Sequence, residues 1–506
     1  MEEQRETNRN PILQSSSSSP QIPNSDSQQN PKKEPLPMQK EEKESERETP
    51  NHILQNPKPP HSRPKIFFKS QIPDSITSDP ALNAAISLLP SNYNFEVHKS
   101  LWRILSSGAK RVALQLPEGL LMYSLVLADI FKSFSPVVED VFVLGDVTYG
   151  ACCVDDFSAS ALNADLLIHY GHSCLIPIDY TKIPSLYVFV EIKIDVDHLV
   201  DTIKFNFDPT KRIALAGTIQ FSGAVRAAKS ALSELGFEVV VPQSKPLSAG
   251  EILGCTSPTI PRGKVDAVVF VADGRFHLEA FMIANPGIAA FRYDPYSRVL
   301  LLEEYDHVGM KEGRKNAILR ARQARSWGIV LGTLGRQGNP KILERLQKRM
   351  AEKGFAWTVV LMSEISPARI ALFAESVDAW IQIACPRLSI DWGEAFGKPL
   401  LTPFEAEIAL GVIPGWWEKT TETRAPRRTL RCGDARTDDL GCKNSSCCAC
   451  SSANGSSSDG ASKTPSTDYP MDYYGQDGGE WNCSYSKKPS PVQRKPRPLV
   501  GNVISS

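Results

Sequence analysis

The chain has no excess of charge: 57 Lys and Arg face 57 Asp and Glu over 506 residues. A globally basic nucleic-acid binder is therefore excluded, and an acidic partner would have to meet a local patch. No run of 18 or more apolar residues occurs, so no membrane-spanning helix is expected. The opening stretch MEEQRETNRNPILQSSSSS lacks the apolar core that a secretory signal requires, which makes the cytosol the expected compartment. In that compartment the eleven cysteines are expected as thiols or metal ligands rather than disulfides.

Aromatics are missing from Met1 to His61, where Ser, Pro, Gln, Lys and Glu dominate. Such a segment cannot bury enough apolar area to offset its chain entropy, and disorder is expected. The same expectation is made for residues 420–506, with runs such as SSANGSSSDGASK and SKKPSPVQRKPRP. The segment Cys432, Cys442, Cys447, Cys448, Cys450 has no His at ligand spacing, so a plain cysteine-bearing tail is expected in place of a zinc site. The basic runs Arg424–Arg431 and Lys487–Arg497 are expected to be solvated linker.

What remains repeats itself. An apolar strand opens each of three units, at Lys110–Leu114, Lys211–Leu215 and Gly328–Leu331. A second strand follows at Val141–Val143, Val239–Val241 and Val359–Leu361. A third is introduced by Asp165, Asp266 or Asp378. From Val112 to Asp165 is 53 positions, from Ile213 to Asp266 is 53, and from Ile329 to Asp378 is 49. Continuous apolar strands separated by amphipathic stretches such as Ser222–Leu235 and Pro340–Lys353 predict parallel sheets covered on both faces. The expected fold is α/β, with three tandem similar domains around a central site. Their expected bounds are 62–205, 206–308 and 309–419, between tails at 1–61 and 420–506. One long doubly wound sheet is the alternative.

One cysteine falls in a loop beyond a strand's carboxyl end in each unit. Cys152 lies 40 positions after Val112, Cys255 lies 42 after Ile213, and Cys385 lies 7 beyond Asp378. Open α/β sheets place ligands at such ends. Small residues or Pro flank each thiol, in YGAC, LGCT and ACPR, as a loop enclosing a cluster requires. Three thiolates would satisfy three irons of a 4Fe–4S cluster and leave the fourth open. No C-x3-C-x2-C triplet occurs in the globular region, so the usual radical S-adenosylmethionine signature is absent. A buried structural thiol is the expectation for Cys174, while Cys153 stays a candidate beside Cys152.

The stretches GDVTYGACCVDD (Gly145–Asp156), IHYGHSCLIP (Ile168–Pro177), GTLGRQGNP (Gly332–Pro340) and IACPRLSIDWG (Ile383–Gly393) resemble the diphthamide biosynthesis radical enzymes. The resemblance runs from about Ser87 to Trp417 and leaves both tails outside. It implies three similar domains giving Cys152, Cys255 and Cys385 to one 4Fe–4S cluster. It also implies that the reduced cluster cleaves S-adenosylmethionine to a 3-amino-3-carboxypropyl radical, which adds to a histidine of translation elongation factor 2. Implied partners are diphthamide synthase subunit 2 in a heterodimer, a small zinc-ribbon-like electron donor and elongation factor 2 itself. A non-catalytic partner subunit with a structural cluster, or a zinc protein using the same thiols, are the competing functions.

The loop Gly332–Gly338 follows a strand and precedes a helix near Pro340, where backbone N–H groups and the helix end favour an anion. Gly335, Arg336, Gln337 and Arg387 are therefore predicted to contact S-adenosylmethionine, with Gln337 and one arginine on its carboxylate. His169 and His172, and likewise Asp273, Arg275 and His277, are expected in structural or cavity-lining roles.

Overall fold

In the computed structural model, residues 72–145, 150, 152–171, 173, 175–418 and 469–485 are described. His172, Cys174 and the cysteines between Cys432 and Cys450 lie outside them, as do residues 1–71.

Among the described residues three large sheets follow one another along the chain, beside a two-stranded antiparallel pair of Tyr93–Asn94 with Glu191–Ile192. The first runs Asp140–Leu144, Arg111–Gln115, Leu166–Tyr170, Ser185–Val188, all parallel. The third runs Ala356–Met362, Ser326–Gly332, Ala379–Ile383, Leu400–Leu401, again all parallel. In the second, Val239–Val240, Ile213–Gly217, Ala267–Val271 and Ala289–Asp294 pair in parallel, and Val299–Glu303 closes the edge as an antiparallel hairpin. Each sheet puts its opening strand between the second and third strands of its own unit, with the fourth beyond the third. The strands read from the sequence are present, and a single long sheet is ruled out. Together the described residues form part of one compact unit spanning 70–506.

Central strands such as Leu166–Tyr170, Ile213–Gly217 and Ala379–Ile383 are buried throughout, as parallel strands covered on both faces must be. The covering helices show the matching period. Pro340–Glu352 buries Ile342, Leu346 and Met350 at every fourth position, with Pro at its start and the Asn339 side chain accepting from the Lys341 N–H. Among the described residues no helix is long and apolar enough to cross a membrane.

The repeated aspartate has a physical reason. Asp165 Oδ2 accepts the backbone N–H groups of Lys110 and Arg111 at 2.9 Å each. Asp378 Oδ2 accepts those of Arg325 and Ser326 at 3.0 Å, and Asp266 accepts that of Arg212 at 2.9 Å. The carboxylate preceding the third strand thus clamps the residues that enter the first. It satisfies N–H groups that the sheet leaves open at its end.

Two expectations need correction. The helix Val196–Asn206 was assigned to the first unit, yet its Leu199, Val200 and Ile203 pack with Ile213, Leu215 and Val225 in the second sheet's core. The apolar stripe of this helix needs a partner, and the second sheet supplies it. The C-terminal tail was expected to be structureless, but Tyr469–Tyr485 is folded, with Tyr469, Met471, Tyr473, Tyr474 and Cys483 in the largest core. The aromatic rings supply apolar area that the rest of the tail lacks.

The Arg212 side chain and backbone hold Asp266 down to about 2. A depressed carboxyl contributes stability that is present above its unfolded value of about 3.9 and is lost as pH falls toward the folded value. Replacing Asp266 with Asn is expected to lower the thermal midpoint at pH 7 by a few degrees and to flatten its fall between pH 4 and 2. An unchanged pH profile in scanning calorimetry would contradict the clamp.

Candidate cluster site

Cys152, Cys153 and Cys255 are buried in one core together with Cys483. Cys385 is partly buried at the end of strand Ala379–Ile383, just before helix Arg387–Trp392. All five are thiols, none in a disulfide. Of the three sulfurs predicted from the sequence, those of Cys255 and Cys385 both feel charge on Cys152. Burial raises the Cys255 thiol well above its usual range, and negative charge on Cys152 and then on Cys385 raises it further. Burial, followed by charge on Cys152, pushes Cys385 up to about 12. Cys152 goes the other way. A hydrogen bond with the Cys153 thiol lowers it against burial, assisted by the Tyr474 hydroxyl and the Gln337 amide. Loops from three different sheets therefore deliver their thiols to one pocket.

Among the described residues no three His, Cys, Asp or Glu side chains converge as ligands of a single metal ion.

The frame around the thiols consists of buried charge pairs and close backbone contacts. Arg336 donates to both carboxylate oxygens of Asp156 at 2.7 Å, and Asp156 is fully buried. This joins the loop after strand Ser326–Gly332 to the helix Asp156–Ala161, directly after Cys152. Gly335 makes the approach possible. Its φ is +53°, and a Cβ there would lie 2.5 Å from the Cys153 carbonyl carbon. Arg387 donates to Asp391 at 2.8 and 2.9 Å, to the Phe276 carbonyl at 2.8 Å and to Glu279. Its guanidinium lies 4.2 Å from the centre of the Phe276 ring. A Cβ on Gly254 would run into that same ring at 2.2 Å, so Arg387, Phe276 and the Cys255 loop pack as one stack.

The two arginines predicted to hold a ligand carboxylate are thus engaged by the protein's own carboxylates. Both lie on the walls of the pocket. Gln337 stays at the thiols: its amide nitrogen is 3.9 Å from the Cys153 sulfur, and it is largely buried. Gly335 serves the packing of the loop onto Cys153. His169 is structural. Its Nδ1 lies 3.0 Å from Gln115 Oε1, and the Gln115 amide donates to the Cys153 carbonyl at 2.7 Å. Arg275 pairs with Glu279 and Glu303 beside the Arg387 cluster, and Asp273 offers its carbonyl to Arg292.

Sequence reasoning missed the segment Tyr469–Tyr485. The Tyr473 N–H donates to the Cys255 carbonyl at 3.3 Å, and the Ser257 N–H to the Met471 carbonyl at 2.8 Å. The Cys483 N–H donates to the Tyr473 carbonyl at 2.7 Å, and charge on Cys483 reaches Cys255. The signal was present in composition. No Phe, Trp or Tyr occurs between residues 418 and 468, after which Tyr469, Tyr473, Tyr474, Trp481 and Tyr485 follow within 17 residues.

Comparison with known proteins now decides the family. A family model described as "Putative diphthamide synthesis protein" matches residues 116–421. The chain belongs to the diphthamide synthesis family. It is 56% identical over 355 residues to the 2-(3-amino-3-carboxypropyl)histidine synthase subunit 1 of Schizosaccharomyces pombe, covering 69% of this chain and 80% of the relative. The human protein of the same name is 56% identical over 349 residues, covering 69% and 78%. Among solved structures, the crystal structure of Dph2 from Pyrococcus horikoshii aligns with a TM-score of 0.54 at 26% identity, over 63% of this chain and 92% of that one. The same protein has been solved with a 4Fe–4S cluster, with the same agreement.

Replacing Arg336 with Ala leaves the Asp156 carboxylate buried without a counter-charge. An expected loss of about 3–5 kcal/mol, with Lys restoring only part because it cannot bond bidentately, follows from the behaviour of such pairs. Urea denaturation of the apoprotein checks it, and an alanine variant as stable as the parent would contradict the pairing.

Proposed function

We propose that this chain is a catalytic subunit for the first step of diphthamide synthesis, with Cys152, Cys255 and Cys385 each binding one iron of a 4Fe–4S cluster. The observation that carries the reading is that Cys255 and Cys385, on loops of two different sheets, both lie within reach of charge on Cys152, on a loop of the remaining one. The cluster in the Pyrococcus horikoshii relative and the synthase name of the close relatives support it. When bound and reduced, such a cluster supplies one electron to S-adenosylmethionine and so releases a 3-amino-3-carboxypropyl group for transfer to a histidine of translation elongation factor 2.

The chain's own residues provide the setting. The Arg336–Asp156 and Arg387–Asp391–Glu279 pairs fix the relative positions of the three cysteine loops. Fixed geometry lowers the cost of orienting a sulfonium so that one particular carbon faces the open iron. Gln337, at the thiols and not committed to a charge pair, is the side chain we assign to the methionine carboxylate. Arg336 and Arg387 act through position instead. Burial of the thiols keeps water from a reactive intermediate. The three units are taken as three domains, each contributing one ligand.

The subunit 1 name of the relatives supports a second subunit as partner, which we identify with diphthamide synthase subunit 2. A small zinc-ribbon-like electron donor, elongation factor 2 as acceptor and a cytoplasmic location complete the proposal. All three cysteine positions are filled, which favours a catalytic role over a vestigial partner subunit.

The test is an anaerobic reaction of the chain and its partner subunit with S-adenosylmethionine, dithionite and elongation factor 2. Mass analysis is expected to find a 3-amino-3-carboxypropyl group on one histidine, together with methylthioadenosine. Stoichiometric zinc without iron, and an unmodified acceptor, would contradict the proposal.

A further inference from the structure

Beyond the residues matched by the family model, the chain returns to the pocket. Asp472 organises this returning segment, accepting from the Gly479 N–H at 3.0 Å and from the Trp481 indole at 3.1 Å. Its outer anchors lie on the third unit. The Tyr469 hydroxyl donates to Glu405 at 2.8 Å, and Glu405 is held by the buried Arg314. The Tyr473 hydroxyl donates to Thr402 at 3.2 Å, and the Asn339 amide donates to the Cys483 carbonyl at 2.9 Å. The Tyr485 hydroxyl reaches the Arg336 carbonyl at 3.2 Å.

Tyr474 is the residue that enters the site. Its N–H donates at 3.1 Å to the hydroxyl of Thr256, which in turn lies 3.6 Å from the Cys255 sulfur. Its own hydroxyl donates at 3.2 Å to the carbonyl of Gln337, the residue whose amide faces Cys153. The ring therefore bridges the Cys255 loop to the loop that packs on Cys152 and Cys153. It is buried.

We propose that Tyr469–Tyr485 is a built-in cover of the cluster pocket, with the buried Tyr474 ring as the wall that closes it between the Cys255 loop and the Gln337 loop. The inference rests on the cluster assigned above. The bulk of the cover excludes water and oxygen from the centre.

The full chain, reconstituted anaerobically with iron and sulfide, tests the cover. Tyr474→Phe keeps the ring and is expected to load as much iron as the parent and to bleach in air at the parent's rate. Tyr474→Ala opens the wall, and its cluster is expected to bleach about tenfold faster on exposure to air, since burial is what protects it. Parental bleaching in the Ala variant, or bleaching of the Phe variant as fast as the Ala variant, overturns the cover. A parent chain that takes up no cluster defeats the functional assignment and this inference together. A parent that does, with variants indistinguishable from it, defeats this inference alone.

Discussion

Buried guanidinium–carboxylate pairing is the constraint on which the rest of this protein depends. The three cysteines come from loops that share no sheet, so nothing in the strand ladders fixes their mutual distance. Arg336 on Asp156 and Arg387 on Glu279 do so, each tying together elements that belong to different units, while Asp391 in the same helix orients Arg387. Such pairs contribute little net stability compared with apolar replacements, yet breaking one costs about 3–5 kcal/mol because a charge is left buried. This asymmetry suits a frame: the loops are hard to separate, although the pairs add little to folding.

The pocket inside the frame is electrostatically unfinished. Burial opposes ionisation of Cys255 and Cys385, and each charge added on Cys152 raises both further. Only Cys152 is eased toward thiolate, chiefly by Cys153 and then by Tyr474 and Gln337. Three adjacent thiolates in an apolar core require cations among them, and iron would supply that charge.

Much of this was legible in the sequence because it is local. Apolar strands of fixed spacing, each third one introduced by an aspartate, marked the sheets. The cysteines could be found because each stands beyond a strand's carboxyl end. Roles decided by long-range pairing were not legible. Arg336 looked like a ligand-binding arginine until Asp156, 180 positions earlier, appeared opposite it. Helix Val196–Asn206 was assigned to its neighbour in sequence, while its apolar stripe faced the sheet that follows. The cover was hidden by its surroundings, a Ser- and Gly-rich tail whose average composition masks five aromatics in 17 residues.

The central claim is that thiols from three sheets grip one inorganic centre. Iron and sulfide analysis of the full chain after anaerobic reconstitution, for the parent and for separate Cys152→Ser, Cys255→Ser and Cys385→Ser variants, tests it most directly. The account predicts a brown parent bleached by dithionite and a large loss of iron in every single variant. Retention of the parent's full iron content by any one of the three would contradict it.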